Sequence, residues 1–185
     1  MFNMNKEKAL LLVVDIQERL SASMHKDEFA LMLKKCNILI NGCVALQVPI
    51  MQSLQYTKGL GNSVSGLFDS NTKKIDFEKR AFSCCYQDSP FLSYLQENKQ
   101  ISQIIICGME THVCILQSAR DLVSLGYNVI IPDDAVISRD YKNKKNALSL
   151  MQSMDITIAN VESILFDMLK TSLSPEFKAI SSLVK

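Results

Sequence analysis

Five short apolar runs punctuate the chain: "ALLLVVD" (9–15), "VPIMQS" (48–53), "ISQIIICG" (101–108), "YNVIIPDD" (127–134) and "DITIAN" (155–160). Each is too short for a typical helix and rich in Val, Ile or Leu. None alternates cleanly between apolar and polar, which is the pattern of strands covered on both faces. Between these runs, apolar residues recur at helical spacing. After Asp27, read as an N-cap, Phe29, Leu33, Cys36, Ile40 and Cys43 form one stripe up to Ala45. A second helix is expected from His112 to Leu125, closed by Gly126. Others are expected over 141–153 and 162–170, and a last one starts with Ser174 as cap and Pro175 in the first helical position.

Strands alternating with helices predict an α/β fold. The expected form is a three-layer αβα sandwich around a mostly parallel, Rossmann-like sheet of about five or six strands. No repeat, low-complexity segment or Pro/Gly-rich linker divides the chain, so residues 1–185 are expected to form one domain. Ligands in such folds bind beyond the carboxyl ends of strands, near a topological switch point. That rule selects Asp15, the segment "SLQY" (53–56), the segment "GMETHVC" (108–114) and the pair Asp133–Asp134.

Composition narrows the partners. The net charge of +1 gives no electrostatic case for a nucleic acid or a membrane surface. The basic cluster Lys142, Lys144, Lys145 reads as a solvated helix face. The N-terminal "MFNMNKEK" leads into six apolar residues, too few for a signal segment or a membrane span. Six cysteines without CxxC spacing point to a reduced, cytoplasmic setting rather than a disulfide framework.

Cys114 lies in the first turn of the helix expected from His112. At about 100° per residue it falls roughly 140° from the centre of the stripe made by Ile115, Leu116, Ala119, Leu122 and Val123, away from the core. Free N–H groups and the helix dipole there favour a thiolate and can hold an oxyanion. A small hydrophobe filling a gap is the competing reading. Asp15, ending an apolar strand, is either a proton-accepting carboxylate or a cap for the next helix, and Gln17 can orient it or a ligand. Lys79 lies in a mixed-charge stretch whose default reading is a solvated edge strand. Alternation places it with Ile75 and Phe77, opposite Asp76, Glu78 and Arg80, and so on the apolar side. "KGLG" (58–61) lacks the pattern of a phosphate loop. His112 and Cys114 have no second ligand pair, so neither a metal nor another cofactor is expected.

With these residues assembled, the sequence resembles the isochorismatase-like cysteine hydrolases, and specifically the isochorismatase domain-containing, YcaC-like branch. The resemblance spans nearly the whole chain. "LLVVDIQERL" is similar to the family's D-x-Q strand and "SLQYTKGLGNSV" to its E-Q-Y-x-x-G-L-G loop, with Ser53 where the branch often has Thr. "FEKRAFS" is similar to its Lys segment, and "CGMETHVCILQSARDL" to its G-[IVM]-E-T-x-x-C nucleophile turn. The resemblance implies a triad of Asp15, Lys79 and Cys114. It also implies a cis peptide at Met109–Glu110 and an oxyanion hole from the Glu110 and Cys114 amides. Gln17, Tyr56, Phe82, Met109 and His112 are the candidates for substrate contact.

Two departures bound what carries over. The family's nicotinamidases hold a metal through a D-x-H…H cluster after the second strand. This chain has no histidine there, so neither that metal nor nicotinamide is implied. Isochorismatase proper lacks the cysteine and cleaves a vinyl ether, whereas this chain keeps Cys114.

The expected activity is metal-independent hydrolysis of a small-molecule amide through a thioester. The alternative is a family-shaped protein that binds a metabolite or partner with little turnover. A receiver-like phosphoacceptor using Asp15 and Asp133–Asp134 fits the α/β pattern but not the "GMETHVC" turn. Family analogy implies a homo-oligomer, for which the C-terminal "FKAISSLVK" offers a packing face.

Overall fold

A computed structural model describes residues 2–185. In chain order its strands are β1 (Ala9–Val14), β2 (Ile50–Gln55), β3 (Ile75–Lys79), β4 (Gln103–Met109), β5 (Asn128–Pro132), β6 (Val136–Ile137) and β7 (Thr157–Ala159). The helices are α1 (Glu18–Ser21), α2 (Lys26–Ala45), α3 (Thr57–Leu60), α4 (Pro90–Glu97), α5 (Leu116–Ser124), α6 (Tyr141–Gln152), α7 (Val161–Leu169) and α8 (Phe177–Leu183). The strands form one parallel sheet in the order β3-β2-β1-β4-β5-β7, and β6 pairs with the end of β4. All seven strands belong to it, against the five or six expected. Beyond the five apolar runs these are β3, the edge strand expected around Lys79, and β6, only two residues long.

The sheet is packed on both faces, as its unbroken apolar strands require. Leu11 and Val13 of β1 face Cys36, Leu39 and Ile40 of α2, together with α7 and α8. Leu10, Leu12 and Val14 face the other way, toward α4, α5 and α6. Ile180 is buried in the first of these cores, so the C-terminal stripe packs on its own chain rather than standing free as a docking face. Among the described residues no helix is long and apolar enough to cross a membrane.

Several helix starts differ from expectation. His25, not Asp27, precedes α2, and Asp27 sits in its first turn, where a carboxylate still complements the dipole. Ser174 and Pro175 lie in turns, and α8 begins only at Phe177. The helix expected from His112 opens as a π-helical turn over Thr111–Ile115, in which the Ile115 N–H reaches the Glu110 carbonyl at 3.3 Å. Gly126, with φ of 89°, closes α5 as expected.

The order reverses between β1 and β4, so the crevice beyond their carboxyl ends is the switch point. Their approach is close because Val14 pairs with Gly108. A methyl group at Gly108 would lie 2.1 Å from the Val14 carbonyl oxygen, and its φ of 120° disfavours any side chain.

Candidate active site

Asp15 leaves β1 in the left-handed region, with φ of 52°. Its amide donates to the Ser53 carbonyl at 3.2 Å, and its own carbonyl accepts from Gln17 N–H at 2.8 Å. The side chain is fully buried and does not cap α1, whose start has no side-chain cap. One oxygen, Oδ1, accepts from the Ser53 hydroxyl at 2.7 Å, and Oδ2 accepts from Lys79 Nζ at 2.7 Å.

Lys79 therefore turns inward from the edge strand, with its side chain fully excluded from solvent. The alternation from 75 to 79 holds for Phe77 and Lys79, whereas Ile75, at the open end of the strand, is exposed. Besides Asp15, the ammonium donates to Gln55 Oε1 at 2.7 Å and to the carbonyls of Phe82 at 3.1 Å and Ala81 at 3.3 Å. Burial alone would lower its pKa. The Asp15 charge and the neighbouring thiols outweigh burial and hold it above the ordinary lysine value.

Cys114 is 6% exposed and sits in the apolar cluster with Ile115 and Ala119. This corrects the expectation that it turns away from the core. Its side of the helix, shared with Ser118 one turn on, is covered by the loop after β3, whose Cys84 N–H donates to the Ser118 hydroxyl at 2.9 Å. The expected depression of its pKa is corrected too. Burial pushes the thiol up, the Asp15 charge adds to this, the Lys79 charge opposes it, and the Asp15 carboxylate raises it further as a hydrogen-bond acceptor.

The Met109–Glu110 peptide is cis. The Glu110 carboxylate is buried and accepts from the Arg139 N–H at 3.0 Å, with the Arg139 guanidinium 3.4 Å from its other oxygen. Half-buried His112 places Nδ1 2.9 Å from the Ser138 hydroxyl.

Two expected substrate contacts are corrected. Gln17 is fully buried, with both ends of its amide engaged. Its Oε1 accepts from Gln55 N–H at 2.8 Å, and its Nε2 donates to the Gly61 carbonyl at 2.7 Å and the Gln55 carbonyl at 3.1 Å. It clamps the loop after β2. Met109 is fully buried in the core on the α2 face. Tyr56 and Phe82 remain exposed, and the Arg80 guanidinium lies 3.9 Å from the Tyr56 ring centroid.

Three residues escaped sequence reasoning. Gln55 holds Lys79 across the β2–β3 pair, and its place two residues after Ser53 on one strand was the available signal. Ser118 accepts from Cys84 N–H at 2.9 Å and donates to the Cys114 carbonyl at 2.7 Å, tying the loop after β3 to the cysteine turn. Cys84 brings a second buried thiol near the pair. Burial pushes it up to about 11, Lys79 opposes this and Asp15 adds to it.

Asp134 lies apart from these groups, accepting from the Val161 N–H at 2.9 Å and pairing with Lys35 at 3.3 Å, so it does not join Asp15 in an acidic phosphoacceptor cluster. Among the described residues no three His, Cys, Asp or Glu side chains gather as metal ligands.

Residues 9–163 match the isochorismatase domain family. Isochorismatase family protein 1A of Dictyostelium discoideum is 36% identical over 183 residues, covering 96% of this chain and 86% of the relative. A solved structure described as the MAR1 ribonuclease of Caenorhabditis elegans superposes with a TM-score of 0.90 at 29% identity, covering 99% of this chain and 92% of that one. The Escherichia coli YcaC gene product, described as an octameric hydrolase of unknown specificity, has the same fold at 16% identity. Its TM-score is 0.87, with 99% of this chain and 91% of that one covered.

Proposed function

The chain belongs to the isochorismatase family, and on that premise we propose that it is a hydrolase in which Cys114 cleaves a small-molecule amide through a thioester. One observation carries the proposal. A fully buried carboxylate, Asp15, is held by an ammonium at 2.7 Å and a hydroxyl at 2.7 Å, with the buried Cys114 thiol as its neighbour.

In the first half the Sγ proton passes to Asp15 and the C–S bond forms. Lys79 keeps its charge throughout and orients the carboxylate. The carbonyl oxygen becomes an oxyanion, which the amides of Glu110 and Cys114 stabilise. Asp15 then gives the proton to the leaving nitrogen as the C–N bond breaks. In the second half it takes a proton from the water that attacks the thioester, and the Cys114 thiol is regenerated. Tyr56, Phe82 and His112 border the substrate, and no cofactor enters any step.

The reading extends to a small-molecule substrate, a homo-oligomer and a cytoplasmic setting. Six unpaired cysteines support the last of these. A net charge of +1 gives no long-range pull on a polyanion, so the relative described as a ribonuclease does not redirect the proposal toward RNA.

A single-turnover screen of small amides tests the reading. An acyl adduct on Cys114, detected by intact mass and lost in Cys114→Ala, is expected. Equal cleavage of a true substrate by wild type and Cys114→Ala overturns it.

A further inference from the structure

A cavity of about 500 Å³ among the described residues is lined by neither Asp15, Lys79 nor Cys114. It lies between α2, β6, the first turns of α6 and the end of α8, and its size falls within the range that encloses small organic molecules. Its walls are mainly apolar: Leu31, Met32 and Ile38 from α2, Val136 and Ile137 from β6, and Leu183 beyond them. On the rim, Leu31 and Tyr141 are 67% and 63% exposed, more than isolated surface apolar groups need explain when they flank one opening.

The charges on this cavity are unevenly matched. Lys35 is paired with Asp134. Lys144 enters the wall half-buried, although Lys142 and Lys145 beside it are exposed, so the basic triplet is not one solvated face. No ion pair or side-chain hydrogen bond engages its ammonium among the described residues, and burial holds its pKa below the ordinary value despite Asp133, Glu28 and Asp134 nearby. An ammonium beside apolar walls without a direct partner gains most from an anion placed against it.

We propose that this cavity binds an amphipathic monoanion, an aliphatic or aromatic body ending in one carboxylate, with the carbon body against Leu31, Ile38 and Ile137 and the carboxylate on Lys144. The site is separate from the cysteine and does not depend on its chemistry.

Calorimetric titration of the intact protein with octanoate and with 1-octanol tests the charge directly, without any variant. Octanoate is expected to bind at least about tenfold more tightly than octanol. Lys144→Gln should bring octanoate down to the affinity of octanol while leaving alkylation of Cys114 by iodoacetamide unchanged. Equal affinity for the two probes, or no binding of either at millimolar concentration, overturns the proposal. So does sedimentation showing that a second copy covers this face, with Leu31→Glu splitting the assembly and octanoate failing to compete.

Discussion

The Lys79 ammonium and the Asp15 carboxylate meet at 2.7 Å with both side chains wholly excluded from water. Asp15→Asn keeps the shape and the tolerance for a left-handed backbone but removes the charge. Since Asp15 raises the Cys114 thiol, the variant should react faster than wild type with iodoacetamide at a given pH. Its turnover should nevertheless fall by about 10²–10⁴-fold, because the proton acceptor is gone. Stopped-flow alkylation and steady-state rates measured on the same sample separate the two effects.

Lys79→Met leaves the carboxylate buried without its counter-charge. Unfolding free energy should drop by about 3–5 kcal/mol in a urea titration. The double variant with Asp15→Asn should recover part of that loss, because no uncompensated charge is left inside. A double variant no more stable than Lys79→Met would mean that the pair is not coupled as described.

Alkaline pH should destabilise the fold. Burial pushes the thiols of Cys84 and Cys85 from about 9 up to about 11 and about 12. The folded chain thus keeps protons that the unfolded chain releases, and stability falls as pH rises. This contribution is complete below about pH 9 and is lost on the way to pH 11 or 12. Lys79, also held above its ordinary value, acts in the same direction from higher pH. The melting temperature should therefore decline above about pH 9, and Cys84→Ala should flatten the decline.

Gly108→Ala places a methyl group against the Val14 carbonyl at the junction of the two central strands. A cost of about 3 kcal/mol or more is expected from the clash and the strained φ together. Chemical denaturation measures it, and a wild-type midpoint would contradict the close approach.

Ser118→Ala strips the shared partner from the Cys84 N–H and the Cys114 carbonyl. The expected destabilisation is about 1–3 kcal/mol, with slower alkylation of Cys114 as its turn loosens. Ser118→Thr keeps the hydroxyl and should restore the alkylation rate, which a purely volumetric role would not require.

Local rules brought the three charged or nucleophilic residues forward only as candidates, each with a structural alternative, and the resemblance to the family joined them into a triad. Asp15 ends an apolar strand, Lys79 occupies the apolar side of an alternating one, and Cys114 follows a strand at the start of a helix. What could not be read depends on how elements dock. Gln55 meets Lys79 through the β2–β3 register, and Ser118 meets Cys84 only once α5 lies against the loop after β3. The helical wheel failed at Cys114 because a wheel shows only the face a helix turns to its own sheet, whereas the loop after β3 covers the other side. It could not sort Lys144 from its neighbours either, since the direction of a lysine within a basic run is set by what α6 packs against.

The strand order β3-β2-β1-β4 delivers the ammonium, the carboxylate and the thiol from segments far apart in the chain. Neither half of the polypeptide, cut in the exposed stretch between β2 and β3, carries all three. Cys114 reactivity is thus a gauge of assembly: two such fragments would each lack the thiol's native environment, and their reunion could be timed by its return.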